Sequence, residues 1–479
     1  LTYAEALSKV NALARWLRGR AVRPGDRVLV AVRNRVETPL IVFAAAKIGA
    51  IFSIVSPQLK PSGFARVVEQ CEPALIFVDS DTATLRAEVA GVPVVWLDPQ
   101  PTVAAEGDAS FSDTIASSGD EELPVPGGEV PAFLVFTSGS TAAPRGVILT
   151  HANVEFVTRA IQARLRYQAR DRIGLLLPFS FDYGLYQVFY VAMCGGQLYV
   201  GRPEKCGPEL PRLLAKAEVT VLPVVPTLAA ALIKALRFRP VPLPGLRIIT
   251  NTGDHLPQAH IEQIRELLPN VRVFPMYGLT ECKRVSILLP EQLETHPDSV
   301  GRPLDGTEVW AEAPDGSRLP PGEVGQLVVK GPHVSPGYWR DPAGTAARFR
   351  QDKEGGRVLM TGDFGAVDDQ HFIRFHSRGE HVIKHRGHWL SPAEVEEAAC
   401  RDPKVAAAGC VRDDTRDLLC LFVATVGPPP EPADVLANLA TRIERAKLPD
   451  KVIFLDDLPR TPNQKVDRAT LRALLPTFS

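Results

Sequence analysis

Phe133-Leu134-Val135-Phe136-Thr137-Ser138-Gly139-Ser140-Thr141-Ala142-Ala143-Pro144-Arg145-Gly146-Val147 is the stretch on which the fold turns. An apolar run of high β propensity leads directly into four hydroxyls (Thr137, Ser138, Ser140, Thr141), two glycines (Gly139, Gly146) and one cation, Arg145. Hydroxyls and glycine amides can cradle phosphate oxygens, and glycine lets the backbone approach closely. The pattern predicts a strand followed by a phosphate-holding loop. It is not a Walker loop, because Gly-x4-Gly-Lys-Ser/Thr is absent. An ordinary Ser/Thr/Gly-rich turn is the rival reading.

Outward from this loop, short β-branched runs recur between longer amphipathic stretches: Arg27 to Val32, Ala74 to Val78, Val92 to Leu97, Ala132 to Phe136, Val219 to Val225, Arg247 to Thr250 and Val271 to Phe274. Leu210 to Ala217 and Leu228 to Leu236 carry helical spacing. Such alternation predicts α/β layers with largely parallel sheets. From about Val300 glycine and proline rise, as in a small β-rich subdomain. A boundary near Arg378-Gly379-Glu380 precedes a tail with its own strands (Val405 to Val411, Leu418 to Val426) and helices (Ala393 to Cys400, Val435 to Ala446). The expected organisation is a large multi-lobed N-terminal domain, residues 1–378, built of two α/β layers plus the β subdomain, and a smaller mobile α+β lid, residues 379–479.

At 479 residues the chain has room for about three domains or one multi-lobed enzyme. Lys plus Arg (54) nearly cancel Asp plus Glu (55), which argues against nucleic acid as a partner. Seven cysteines without a C-x-x-C pair indicate neither a disulfide framework nor a zinc site, and fit a reducing cytoplasm. Leu40 to Val55, interrupted by Lys47 and Gly49, is too short to span a bilayer and reads as core, so no membrane partner is expected. Leu1-Thr2-Tyr3 reads as the lead-in to a helix, with further residues expected upstream.

The loop resembles the Thr-Ser-Gly-Ser/Thr-Thr-x-x-Pro-Lys-Gly hallmark of the adenylate-forming superfamily of acyl-CoA synthetases, luciferases and peptide-synthetase adenylation domains, with Arg145 for the usual Lys and Ala142 for a common Gly. Other elements follow in that family's order. Tyr277-Gly278-Leu279-Thr280-Glu281 is similar to its Tyr-Gly-x-Thr-Glu element, Thr361-Gly362-Asp363 to the ribose-binding element, and Arg378-Gly379-Glu380 to the hinge. Pro459 to Arg468 is similar to the element that carries the catalytic lysine, here Lys465.

The resemblance implies an ATP-dependent, Mg2+-assisted ligase that makes an acyl-AMP. A carboxylate attacking the α-phosphorus sets two anions against each other, so cations and donors must stabilise the transition state. On the family pattern Lys465 bridges the substrate carboxylate and the α-phosphate from the lid, although a surface lysine beside Asp467 and Arg468 is the alternative. Glu281 resembles the Mg2+ ligand, an oxygen donor of the kind that ion prefers. Thr280 resembles the donor to the α-phosphate. Tyr277 would stack on adenine or simply pack against Met276, and Asp363 would accept both ribose hydroxyls. Arg378 would meet ribose or phosphate, while Thr137, Ser138, Gly139, Ser140, Thr141 and Arg145 would hold the phosphates. Glu380 (usually Asp), Trp389 (often Arg) and Gln464 (usually Gly) depart from the pattern.

Ser180-Phe181-Asp182-Tyr183-Gly184 matches an element of peptide-synthetase adenylation domains whose aspartate pairs with a substrate ammonium. Asp182 capping a helix is the alternative. Lys283 and Arg284, directly after Glu281-Cys282, suggest a second carboxylate on the substrate, unless they lie on a solvated helix face. With Thr252 as a polar wall and Met276 beside it, these residues outline a small amino dicarboxylic acid. That resembles stand-alone β-amino acid ligases of macrolactam antibiotic pathways, the 3-methylaspartate type in particular. The chain carries no fused carrier module, so the expected acceptor is an acyl carrier protein acting in trans; an acyl-CoA synthetase for a small acid is the alternative function, and a catalytically silent adenylate-binding protein the third.

Overall fold

The apolar run from Leu40 to Val55 folds into the helix Glu37–Lys47 and the strand Ile51–Ile54, reversing at Gly49, whose φ of +71° is left-handed. This arrangement comes from a computed structural model that describes residues 1–89, 91–98, 108–116, 126–137, 144–205, 207–378, 383–385, 388–390, 392–461 and 465–478. Ser138, Gly139, Ser140 and Thr141 of the phosphate loop, Gly379 and Glu380 of the hinge, and Gln464 lie outside the described residues, as do the side chains of Arg378 and Trp389.

Two seven-stranded sheets form the large domain. The first runs, edge to edge, Ala109–Ser110, Val94–Trp96, Pro73–Val78, Arg27–Ala31, Ile51–Ile54, Pro131–Thr137 and Arg145–Thr150, parallel except for the last pair. The second runs Arg302–Pro303, Ser286–Ile287, Arg272–Tyr277, Ile248–Asn251, Val221–Val224, Arg172–Leu175 and Gln197–Val200, its last five strands parallel. Strands covered on both faces should be continuously apolar, and Val28 to Ala31 and Ile248-Ile249 have no exposure at all. Each strand expected from the sequence in this domain overlaps a strand of one of these sheets.

One core joins the two sheets. The helix Asp182–Cys194 crosses between them, and Phe133, stacked on Phe52 at 4.9 Å, meets Tyr186 of that helix edge-on at 6.2 Å. Asn34, buried, fastens the same region with polar bonds: its Nδ2 donates to Leu177 O (2.8 Å) and Gly201 O (3.0 Å), and its Oδ1 accepts from Phe179 N (3.0 Å). The loop that leads into Asp182 is thus tied to the first sheet.

The β subdomain expected after Val300 is an antiparallel sheet of Glu308–Glu312, Gly325–Lys330, Arg357–Val367 and Phe349–Gln351, with Ile373–Arg378 also paired to Arg357–Val367. The small domain centres on Val405–Asp413, Leu418–Thr425 and Lys451–Leu455. Alternation along the middle strand sends Leu419, Leu421 and Val423 toward the helices Pro392–Cys400 and Pro432–Ala440, and Cys420 and Phe422 toward Arg468–Leu474. The helix expected over Val435 to Ala446 ends early, at Ala440. There the Thr441 hydroxyl bonds back to Asn438 O (2.7 Å), and Lys447 is drawn away to Glu394 (2.8 Å). No described helix is long and apolar enough to cross a membrane.

Replacing Asn34 by Ala leaves two carbonyls and one amide buried and unpaired, at about 1–3 kcal/mol for each group that water cannot reach. The expected result is a fall in the thermal midpoint, roughly 2–4 °C for each kcal/mol lost. An unchanged midpoint would show that Asn34 does not hold this loop.

Candidate active site

In open parallel sheets, ligands bind beyond the carboxyl ends of the strands. Three of the five parallel strand ends of the second sheet lead into the site residues, with Val221–Val224 lying between the first and second of them. Arg172–Leu175 leads to Ser180-Phe181-Asp182, Ile248–Asn251 to Thr252-Gly253, and Arg272–Tyr277 to Glu281-Cys282-Lys283-Arg284.

The return from Tyr277 is tight. A Cβ on Gly278 would stand 2.0 Å from the Lys283 carbonyl oxygen, and Val285 N donates to Tyr277 O at 2.9 Å. Lys283 itself has a φ of +63°, a left-handed backbone that costs a non-glycine residue about 1–2 kcal/mol. That turn points both cations inward. Lys283 is 5% and Arg284 2% exposed, so neither lies on a solvated helix face.

Asp182 is buried as well, and it does not cap its helix: it forms an ion pair with Lys283 Nζ at 2.7 Å. The ammonium also sits 4.2 Å from the centroid of Tyr186. Arg284 hydrogen-bonds the Thr252 hydroxyl and lies 5.5 Å from the centroid of Tyr183, while its Nε has no partner. Among the described residues no carboxylate is within ion-pair distance of Arg284. Tyr183 is fixed by a 2.6 Å bond between its hydroxyl and that of Thr250. The sequence reading gave Asp182 to a substrate ammonium and Lys283 and Arg284 to a substrate carboxylate, and the structure pairs Asp182 with Lys283. Burial drives the Lys283 ammonium down to about 8; Arg284 adds to the fall, and Asp182 opposes it.

On the nucleotide side, Tyr277 donates its hydroxyl to Asp363 Oδ2 at 2.8 Å and is 7% exposed. Burial first, and then Asp363, raise its pKa far above the usual phenol value, so it stays a donor. Asp363 follows Thr361, whose hydroxyl donates to Leu327 O (2.6 Å) and accepts from Asp363 N (3.0 Å). Strand register sets Arg378 opposite Asp363. Met276 is buried in the strand just before Tyr277, and Thr280 is half-buried.

Glu281 accepts from Tyr338 at 2.8 Å, and the same tyrosine ring lies 5.6 Å from the Arg145 guanidinium. The sequence reading did not single out Tyr338. It arrives because Gly337 O and Trp339 N bond to the strand Arg145–Thr150, at 3.0 Å to Ile148 N and 2.7 Å to Gly146 O. Thr137 and Arg145 face each other as register partners at the two ends of the phosphate loop. Among the described residues no group of three or more His, Cys, Asp or Glu side chains could hold a metal ion. A lone carboxylate such as Glu281 suits Mg2+, which keeps most of its waters and takes its other ligands from substrate phosphates.

Lys465 comes from the small domain. Its Cε lies 3.6 Å from where a Cβ on Gly253 would be, and its segment is closed by Thr461 N donating to Lys465 O (2.8 Å) and Lys465 N to the Thr461 hydroxyl (3.2 Å). Lys465 thus reaches the sheet end at which Asp182, Thr252, Lys283 and Arg284 gather.

The comparisons with known proteins agree with this geometry. The AMP-binding enzyme family matches residues 1–339 and the AMP-binding enzyme C-terminal domain matches residues 394–465; the chain belongs to this family. Its chemistry is that of an acid–thiol ligase working through an acyl-AMP intermediate. The probable non-canonical nonribosomal peptide synthetase CymA of Salinispora arenicola is 31% identical over 99% of this chain, which spans 6% of that protein's length. An indoleacetate–CoA ligase of Aromatoleum aromaticum is 28% identical over 99% of this chain and 93% of its own. Among solved structures, VinN is 34% identical over 78% of this chain and 92% of its own, with a TM-score of 0.70, and has also been solved with L-aspartate.

In the free enzyme, NMR titration of Lys283 should give a midpoint of about 8, against the ~10.4 of an unperturbed lysine. Because Asp182 opposes the fall, Asp182→Asn should move that midpoint lower still. An ordinary lysine midpoint would contradict the burial of this ammonium.

Proposed function

We propose that this enzyme adenylates the carboxylate of a small amino dicarboxylic acid, aspartate-like and of the 3-methylaspartate kind, and passes the acyl group to the phosphopantetheine thiol of a separate carrier protein. The observation that carries the reading is the buried set Asp182, Lys283 and Arg284. A substrate with an ammonium and a free carboxylate can insert between Asp182 and Lys283, pairing with each, and can take the uncompensated guanidinium of Arg284 as a further partner. An apolar acid would leave the Arg284 guanidinium buried without a carboxylate, at several kcal/mol. The similarity to VinN, solved with L-aspartate, and to CymA supports the amino acid and the carrier protein.

In the first step a carboxylate oxygen attacks the α-phosphorus of ATP, and pyrophosphate leaves. Lys465 stabilises the negative charge that gathers between them, Thr280 donates to the α-phosphate, and Asp363 holds the ribose with Tyr277 beside it. Thr137, Ser138, Gly139, Ser140, Thr141 and Arg145 hold the phosphates. Mg2+, held by Glu281, would offset phosphate charge. In the second step a thiol attacks the acyl carbon and AMP leaves.

The second reading, a CoA ligase for a small acid, draws on the likeness to the indoleacetate–CoA ligase and on the fact that Asp182 already has Lys283 as a partner. Pyrophosphate exchange across aspartate, 3-methylaspartate, neutral β-amino acids, succinate and simple carboxylic acids separates the two. Exchange confined to acids without an amine would overturn the amino acid reading.

Lys465→Ala should lower the exchange kcat by roughly 10² or more with the fold intact, on the scale of removing one oxyanion-stabilising donor. A wild-type rate would remove the lysine from the mechanism. Arg284→Ala should raise KM for an aspartate-like substrate by about ten- to a hundredfold, and far less for a β-amino acid without the second carboxylate, whereas Asp182→Ala should harm both. An unchanged ranking of substrates in both Arg284→Ala and Lys283→Ala would refute the dicarboxylate assignment.

A further inference from the structure

The segment Thr252-Gly253-Asp254-His255 meets every moving part of the site within four residues. Thr252 receives Arg284, and Gly253 faces Lys465. His255 Nε2 is 3.2 Å from Glu397 Oε2 on the helix Pro392–Cys400 of the small domain. Asp254 acts electrostatically on Arg468 and Glu396, which form their own small-domain pair at 2.7 and 2.9 Å. The side-chain contact that this segment makes across the boundary is thus the one between His255 and Glu397.

We propose that His255 is a latch that seats the small domain through Glu397, and that it is thereby a positioning residue for Lys465. The geometry favours this over a general packing role. His255 lies two residues from Gly253, so sliding the small domain off His255 withdraws Lys465 by the same movement. Both ions of the His255–Glu397 pair are about three-quarters covered, with side chains 27% and 23% exposed, so the pair is shielded from salt more than a surface contact.

The groups facing His255 are Glu397 across the boundary, Asp254 on its own segment and Asp298, with Arg401 beside Glu397 and His260 close enough to feel its charge. Burial works to lower the imidazole pKa, and the bond and charge of Glu397, helped by the two aspartates, more than offset it and raise it. Burial works to raise Glu397, and His255 and Arg401 hold it below the usual carboxylate value. The pair is accordingly formed below the raised histidine midpoint and lost as pH climbs through it.

The inference rests on Lys465 acting in adenylation, so one arm of the test does not involve catalysis. In the full-length chain with ¹³C-labelled histidine, the His255 midpoint should lie above its ordinary ~6.5 and fall in Glu397→Gln; a midpoint that stays put in Glu397→Gln overturns the latch whatever the substrate proves to be. In the second arm, pyrophosphate exchange is measured with the acid that the wild type turns over fastest. His255→Ala and Glu397→Gln should each lower kcat about fivefold with little change in KM, and together do no worse than either alone. His255→Lys should restore the rate and carry the alkaline decline to higher pH. Additive losses, or a pH profile that is the same in His255→Lys and in the wild type, would reduce His255 to a structural contact.

Discussion

Three charged side chains buried together at the end of one parallel sheet set the terms for the structure around them. Each charge taken from water costs several kcal/mol unless something replaces the water. Lys283 takes Asp182 and the face of Tyr186, and Arg284 takes the Thr252 hydroxyl and the face of Tyr183. Both tyrosines belong to the helix Asp182–Cys194, which is why that helix must be held on all sides. Phe133 and Phe52 grip it from the first sheet, and Asn34 fixes the loop by which it begins. The first sheet is thus more than a scaffold for the phosphate loop: it keeps the charges of the second sheet in register.

The site was legible where chemistry is concentrated over a few residues. Thr137 to Gly146, Tyr277 to Glu281 and Thr361 to Asp363 carry the resemblance to the family through side-chain type and short spacing. Lys283 and Arg284 were open to two readings because a pair of adjacent cations has no period; burial decides between them, and burial depends on a left-handed turn that no sequence pattern announces. Residues whose partners lie far along the chain went unseen. Asn34 bonds to a carbonyl 143 positions away, Tyr338 to Glu281 57 away and His255 to Glu397 142 away. The one helix read too long, toward Ala446, ends where the Thr441 hydroxyl bonds back onto its last turn and Lys447 pairs with Glu394 on another helix.

The proposed reaction asks that a cation from the small domain reach the acid-binding end of the second sheet, where Lys465 lies beside Gly253. The segment from Thr252 to His255 is where that demand is met, since it touches the acid pocket, the lysine and the small-domain surface in successive residues. Arg284 and the small domain are thereby contacted from the same short stretch of backbone. Tyr338 serves the phosphate side in a comparable way, joining Glu281 to Arg145 across two elements distant in sequence.

The left-handed backbone at Lys283 also limits how such a pocket can change. β-branched residues fit that conformation badly, whereas glycine and asparagine adopt it at small cost. A drift toward apolar acids by way of position 283 would therefore pass through residues too small or too polar to line an apolar cavity. Positions 182 and 284, free of that constraint, are the ones through which a different acid could be accommodated, with position 283 following only after its carboxylate partner has gone. Specificity in this scaffold has a preferred order of change, and it is set by one torsion angle.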